Sequence, residues 1–148
     1  MKLKKYLINE KELNDNDYIV NKHRGIWYHQ TSKAGAIGIL ERGFEVYSGG
    51  DQKYTEGIYL LYHSEGRFGD ITFEIKVVGN FLDLSNDNLG KLWLNLKKKY
   101  WKGNWKKLTD SIKKDFPKAQ GIILPTILVA WYPDKVFKEA KIIKGSII

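Results

Sequence analysis

The chain has 148 residues, of which 43% are hydrophobic and 28% charged, with a formal net charge of +8 and no cysteine. This length predicts one domain, 1–148, with its own core. The lack of cysteine excludes disulfides, thiolate metal sites and cysteine nucleophiles, and three histidines without metal-like pairing argue against zinc. No apolar run reaches the roughly 20 residues of a membrane span, and the N-terminus turns polar before a signal-peptide core could form. We therefore expect a cytoplasmic protein with no membrane partner.

The first half of the chain predicts a strand, a helix and a second strand. Residues 25–29 predict the first strand, and a helix over 33–42 follows, which Thr31 or Ser32 caps and Gly43 ends. Apolar spacing predicts an inward helix face made of Ala34, Ile37 and Leu40. A polar loop then leads into a strand over 57–61.

The second half predicts more strands and a pair of helices. Alternating side chains indicate a strand over 71–78, a turn at 79–80 and an extended segment over 81–84. Apolar residues at helical spacing predict a helical insertion over about 88–118. Closing strands are expected over 121–124, 128–131 and 136–144. Because strands dominate and the helices are grouped, the predicted fold class is α+β.

Two residues in the first half have side chains suited to NAD chemistry. Splitting the nicotinamide–ribose bond passes through an oxocarbenium-like centre, and the cationic leaving group needs no proton. The protein must therefore mainly position the nicotinamide, the ribose and the acceptor. An aromatic face can hold the nicotinamide ring, and a histidine can bond a ribose hydroxyl. His29 and Tyr59 each lie on a predicted strand and have these side chains.

The motifs around these residues resemble those of the ADP-ribosyltransferase superfamily. Trp27-Tyr28-His29-Gln30-Thr31-Ser32 with Ile39-Leu40-Glu41-Arg42-Gly43-Phe44 is similar to the first motif of its His-Tyr-Glu branch, shared with poly(ADP-ribose) polymerases and diphtheria-type toxins. Gly57-Ile58-Tyr59-Leu60 resembles the second motif, and Phe68-Gly69-Asp70 stands where a second aromatic is common. The resemblance covers about 25–84 and 119–144. It implies a split β-sheet around an NAD-binding cleft.

The resemblance also implies roles for individual residues. His29 would hold ribose, Tyr59 and Phe68 would hold nicotinamide, and the backbone of Gln30 would bond the carboxamide. The residues implied to contact NAD are His29, Gln30, Thr31, Gly57, Tyr59 and Phe68.

One position departs from the family pattern. If 128–132 is the closing strand, the third catalytic position, normally glutamate beside His29 and Tyr59, falls on Ile127. Family members with an aliphatic residue there resemble mono-ADP-ribosyltransferases or inactive members. The resemblance therefore implies transfer of one ADP-ribose from NAD to a macromolecule with release of nicotinamide, as in a bacterial toxin or a phage effector.

The segment 91–118 carries ten lysines against Asp110 and Asp115, and its net charge of +8 equals that of the whole chain. Lysine runs are commonly solvated helix faces, yet they also attract polyanions or acidic proteins. Trp93, Trp101 and Trp105 are expected in the core, which leaves no stacking rings on this surface. A protein acceptor is therefore favoured over a nucleic acid.

Three alternatives remain open. The first is a catalytically inactive module that binds NAD, ADP-ribose or a protein. The second is an RNA 2′-phosphotransferase, which normally has more arginines near the histidine motif than Arg24 and Arg67. The third is a basic nucleic-acid binder built around 91–118.

Overall fold

The computed structural model describes residues 18–46, 53–64, 69–86 and 90–147. The strands in these residues are β1 (Val20–Thr31), β2 (Ile58–Leu61), β3 (Ile71–Asp83), β4 (Gly121–Ile123), β5 (Ile127–Ala130) and β6 (Phe137–Lys144). The helices are α1 (Lys33–Arg42), α2 (Lys91–Tyr100), α3 (Trp105–Asp115) and α4 (Pro133–Val136). This mixed arrangement of one sheet and helices is compatible with the predicted α+β class.

The strand pairings form a closed circuit. β1 runs antiparallel to β3 along its whole length, and its other edge meets β2 at the pair Tyr28–Leu61. β2 pairs antiparallel with β5, β5 antiparallel with β4, and β4 parallel with β3, which completes the circuit. β6 adds to the free edge of β3. Residues far apart in sequence are thereby brought to one set of connected strands.

The two faces of the sheet carry two apolar clusters. Because side chains alternate along a strand, Phe73, Ile75 and Val77 of β3 point to one face. There they join Trp27, Leu60 and Leu128 in a cluster that α1 and α4 cover, which we call the α1-side cluster. The opposite face packs against α2 and α3 in the α2–α3 cluster. Its buried members include Leu82, Trp93, Leu96, Leu108, Ile112, Val129 and Trp131.

Two details of the first helix and of β3 differ from the predictions. The bounds of α1, its Ser32 cap and its end at Gly43 are confirmed, but the predicted inward face is wrong. Ala36 is fully buried, whereas Leu40 is 59% exposed. The predicted turn at 79–80 is also wrong, since β3 continues through it. There the backbone N–H of Asn80 donates to Gln120 Oε1 over 2.9 Å, a long-range partner that supports an extended chain.

The helix pair predicted within 88–118 is present as α2 and α3. Trp93 is buried as expected and Trp105 is half-buried, but the expectation that Trp101 lies in the core is wrong. Trp101 follows the last residue of α2 and is 41% exposed. No helix in the described parts of the chain is both long and apolar enough to cross a membrane.

Candidate functional site

A cavity of about 330 Å³ lies where the end of β1, one side of α1 and the start of β2 meet. We call it the His29 cavity. Its walls are His29 and Thr31 of β1, residues of α1 with the turn after it, and Gly57 and Ile58. The helix and turn residues are Ala34, Gly35, Gly38, Ile39, Arg42, Gly43, Phe44 and Glu45. Three residues of the predicted NAD-contacting set, His29, Thr31 and Gly57, are thus brought together.

Local sequence explains why a cavity forms at this place. The Ser32 side chain accepts a hydrogen bond from the Gly35 backbone N–H over 3.1 Å, so α1 begins directly after β1. The Thr31 hydroxyl occupies the space that a Cβ on Gly35 would need. Because residues 34, 35 and 38 have short side chains or none, this side of α1 does not fill the space beside β1, and the cavity remains.

Gly57 is also required by close approach. A Cβ at this position would lie 2.6 Å from Val129 Cγ1 and 2.7 Å from the Ala130 carbonyl oxygen. Neither neighbour can move easily, because both belong to the paired strand β5. The glycine therefore lets the chain enter β2 tightly against β5 at the edge of the cavity.

The protonation state of His29 follows from its hydrogen bond. Nδ1 lies 3.0 Å from the backbone carbonyl oxygen of Tyr59, and because a carbonyl only accepts, Nδ1 must carry the proton. Burial lowers the pKa of His29, and the bond to Tyr59 only partly opposes this. The ring is therefore neutral at pH 7, and Nε2 is an acceptor. Nε2 has no hydrogen-bond partner within the described ranges.

Charged groups and one aromatic ring complete the cavity. Arg42 Nε and Glu45 Oε1 form an ion pair at 3.2 Å. The Phe44 ring meets the His29 ring edge-to-face, with centroids 5.6 Å apart. These three residues were not among the predicted site residues. The sequence did indicate their position, because a C-capping glycine such as Gly43 reverses the chain and brings the residues beside it back towards the helix.

The side chains of His29 and Tyr59, which were predicted to hold the same NAD molecule, do not meet. Paired residues of antiparallel strands face the same side of the sheet, so Tyr28 and Leu61 share one side. Side chains alternate along each strand, so Tyr59 lies on the side of Leu61, whereas His29 and Ile58 lie on the other. The Tyr59 ring accordingly packs against the α2–α3 cluster, and Ile58 packs against the α1-side cluster. Tyr59 reaches the His29 cavity only through its carbonyl oxygen.

Ile127 also lies away from the His29 cavity. It pairs with Leu61 at the start of β5 and packs, half-buried, against the α2–α3 cluster. Position 127 therefore lies on the side of Tyr59 rather than that of His29. Among the described residues, Glu45 is the carboxylate that lines the cavity.

The remaining predicted contacts are Gln30 and Phe68. Phe68 lies outside the described residues. The Gln30 side chain is buried, and its amide nitrogen is 3.4 Å from the hydroxyls of Ser64 and Thr72. Its Oε1 has no partner in the described parts of the chain. The predicted contact uses the Gln30 backbone, which directly follows His29.

The Tyr59 hydroxyl gives a test of its structural role. It donates to the Thr55 carbonyl oxygen over 2.7 Å and accepts from the Tyr54 backbone N–H over 2.9 Å. Burial raises the pKa of Tyr59 to about 12, so the hydroxyl stays protonated. We expect Tyr59→Phe to lower the free energy of unfolding by about 1–3 kcal/mol, because two backbone groups lose their partner. Denaturant unfolding measures this loss.

The matched control for Tyr59→Phe is Tyr62→Phe, at a side chain that is 53% exposed. This variant should unfold like the wild type. NAD binding should survive Tyr59→Phe, because the hydroxyl lies outside the cavity. A stable Tyr59→Phe protein that no longer binds NAD would contradict this assignment and return Tyr59 to the binding site.

No protein-family model, curated protein or solved structure matches the chain.

Proposed function

We propose that the protein transfers a single ADP-ribose from NAD to a macromolecular acceptor, releasing nicotinamide. The observation that carries this proposal is the neutral His29 ring in the cavity, with Nδ1–H held by the Tyr59 carbonyl and Nε2 left as an acceptor. A ribose hydroxyl is a matching donor. The residues that carry the resemblance to ADP-ribosyltransferases include this histidine.

The other walls of the cavity fit further parts of the same ligand. The Arg42 guanidinium suits a pyrophosphate, since its fork of N–H donors matches phosphate oxygens. The Glu45 carboxylate can accept a hydrogen bond from another hydroxyl of the same ribose, and the Phe44 ring forms an aromatic wall of the cavity. A volume of about 330 Å³ lies at the lower end of the range for small-molecule pockets, ~300–1,000 Å³. We therefore assign it to one nucleotide half of NAD.

The closed circuit of strands β1 to β5 would correspond to the split sheet of an ADP-ribosyltransferase, with α2 and α3 as an insertion. Supporting this assignment, the end of β1 and the start of β2, which carry the two motifs, lie side by side at the cavity.

A second candidate is a module that binds NAD or ADP-ribose without catalysis. It is favoured by the positions of Tyr59 and Ile127, which pack on the opposite face of the sheet from His29. A transferase would then have to align the ribose with Glu45, and a binding module would not.

For the RNA 2′-phosphotransferase, Arg24 lies outside the lining of the His29 cavity and Arg67 lies outside the described residues.

Nicotinamide release separates the two candidates. The purified protein is incubated with NAD labelled on the nicotinamide, with and without cell lysate, and a parallel reaction uses label on the adenosine. A transferase should release nicotinamide slowly when it is incubated without lysate and faster when lysate is present. The adenosine label should then appear on the acceptor as a single ADP-ribose unit. Protease and nuclease digestion of separate portions identifies the acceptor class.

The other outcomes are equally informative. Binding of NAD with no nicotinamide release would establish the binding module instead. Transfer of a 2′-phosphate from RNA to NAD would identify the phosphotransferase. Absence of NAD and ADP-ribose binding at millimolar concentration would end both forms of the proposal.

A further inference from the structure

The positive charge of the protein is concentrated in one stretch of the chain, which forms α2, the connection after it and α3. We call this the lysine–tryptophan face. It consists of the ten lysines of 91–118 together with Trp101 and Trp105. Only Asp110 and Asp115 oppose these lysines within the segment. The remainder of the chain has no net charge, so this face sets the sign of the long-range field.

Few of these lysines are neutralised by carboxylates. Lys106 Nζ lies 2.8 Å from Asp110, and Asp115 accepts a hydrogen bond from Tyr100 over 2.7 Å. Over the described residues, seven of the ten lysines have no carboxylate within 4 Å: Lys97, Lys98, Lys102, Lys107, Lys113, Lys114 and Lys118. A dense, largely unpaired set of cations repels itself, and a polyanion relieves that repulsion.

Two indole rings lie among these cations. Trp101 and Trp105 are in edge-to-face contact, with centroids 5.1 Å apart. Lys97 Nζ lies 4.7 Å from the Trp105 centroid and 5.4 Å from that of Trp101. Trp101 is 41% exposed, so a large part of its surface is open to solvent. An exposed aromatic side chain beside cations is more informative than exposed charge alone.

Exposure of Trp101 does not result from a lack of apolar core beneath the helices. The inner sides of α2 and α3 are already filled by Trp93, Leu96, Leu108 and Ile112, all buried. Most apolar side chains of both helices are thus buried inside the protein, and the exposed Leu94 of α2 (62%) is a single residue rather than a broad apolar face. A helix that lies on a membrane needs such a face free, so a lipid surface is a poor match.

We propose that the lysine–tryptophan face binds single-stranded nucleic acid. Lysines contact the phosphates without regard to sequence, and an exposed indole stacks on an unpaired base. Bases in a duplex have both faces covered, whereas those in a single strand can be splayed onto an aromatic ring. An acidic protein would pair its carboxylates with the lysines, whereas a single strand both places phosphates on the lysines and stacks a base on the indole. This inference does not depend on NAD, because the His29 cavity lies on the other face of the sheet.

Fluorescence anisotropy of a labelled single-stranded oligonucleotide of mixed sequence, about 15 nucleotides long, tests the proposal. We expect binding that weakens steeply with salt and exceeds binding of the matching duplex and of polyglutamate of equal charge. Trp101→Leu should weaken binding about tenfold, while Trp101→Phe restores most of it. Changing Lys97, Lys98 and Lys102 to glutamine should reduce the slope of log K against log salt by about 2.

The charge-matched control is the glutamine substitution of Lys138, Lys141 and Lys144, which are exposed on β6. This control removes the same charge from another surface and should keep the wild-type salt slope. His29→Asn should bind the oligonucleotide like the wild type, which separates this inference from the NAD proposal. Equal affinity for polyglutamate, or binding that is insensitive to Trp101→Leu, would overturn the inference and favour an acidic protein partner. An equal loss of oligonucleotide affinity and salt slope in both lysine variants would show a general effect of net charge, and would also overturn the inference.

Discussion

Replacing His29 by asparagine should lower the affinity for NAD at least about tenfold while leaving the protein folded. The asparagine amide can occupy the place of Nδ1 and donate to the Tyr59 carbonyl, which His29 bonds over 3.0 Å. It cannot supply the acceptor at Nε2. A ribose hydroxyl bound there would lose its partner, and an unpaired buried polar group costs about 1–3 kcal/mol. Titration calorimetry with NAD measures the loss.

A second substitution tests the same atom in reverse. Glutamine at position 29 can place a carbonyl oxygen near the Nε2 position but loses the donor to Tyr59. His29→Gln should therefore retain more NAD affinity than His29→Asn and unfold more easily. The matched control is His63→Asn, at an exposed histidine that lies outside the cavity. Wild-type affinity in His29→Asn would show that His29 serves only to brace the strands.

The pH dependence should follow the protonation of Nε2. Since burial lowers the pKa of His29 below its ordinary value of about 6.5, affinity should be constant from pH 8 down through 6.5 and decline only as the pH approaches the lowered pKa. The folded state holds this proton less tightly than the unfolded chain does. Protonation therefore favours unfolding, and the free energy of unfolding decreases as the pH falls from about 6.5 towards the lowered pKa. His29→Gln should remove both trends.

The sequence predicts most elements of this fold because their signals are local. The bounds and caps of α1 depend on Ser32 and Gly43, which act within a few residues of themselves. The turn proposed at 79–80 failed for the opposite reason. Gly79 is in an extended strand beside Val136, and Gln120 holds the next backbone N–H. Neither partner is near in sequence, so local rules could not identify them.

The candidate site was predicted in part for a similar reason. His29, Thr31 and Gly57 are brought together because β1, α1 and β2 follow one another directly. Whether Tyr59 joins them depends on the register of β1 against β2, which rests on the single pair Tyr28–Leu61. A shift by one residue would reverse the face of every side chain in β2. Side-chain alternation within one strand does not determine that register.

A carboxylate at position 127 should destabilise the fold without raising activity. If the family alignment placed Ile127 in the active site, Ile127→Glu would raise nicotinamide release. The structure instead packs this side chain, half-buried, against the α2–α3 cluster on the face of Tyr59. We therefore expect Ile127→Glu to cost about 1–3 kcal/mol, because it removes apolar contact and desolvates a charge. Nicotinamide release should not increase.

Ile127→Gln separates charge from polarity, since it has nearly the same shape as glutamate and no charge. The glutamate variant should unfold at a lower temperature than the glutamine variant at pH 7. Desolvation raises the pKa of a carboxyl in the folded state, so the unfolded chain loses its proton first as pH rises, and ionisation favours unfolding. The gap between the two variants should therefore close below about pH 4, under the ordinary glutamate pKa. A melting series from pH 4 to 8 beside the nicotinamide assay measures both effects. A stable Ile127→Glu protein with faster nicotinamide release would show that position 127 reaches the nicotinamide–ribose bond, and that the active site extends to the Tyr59 face of the sheet.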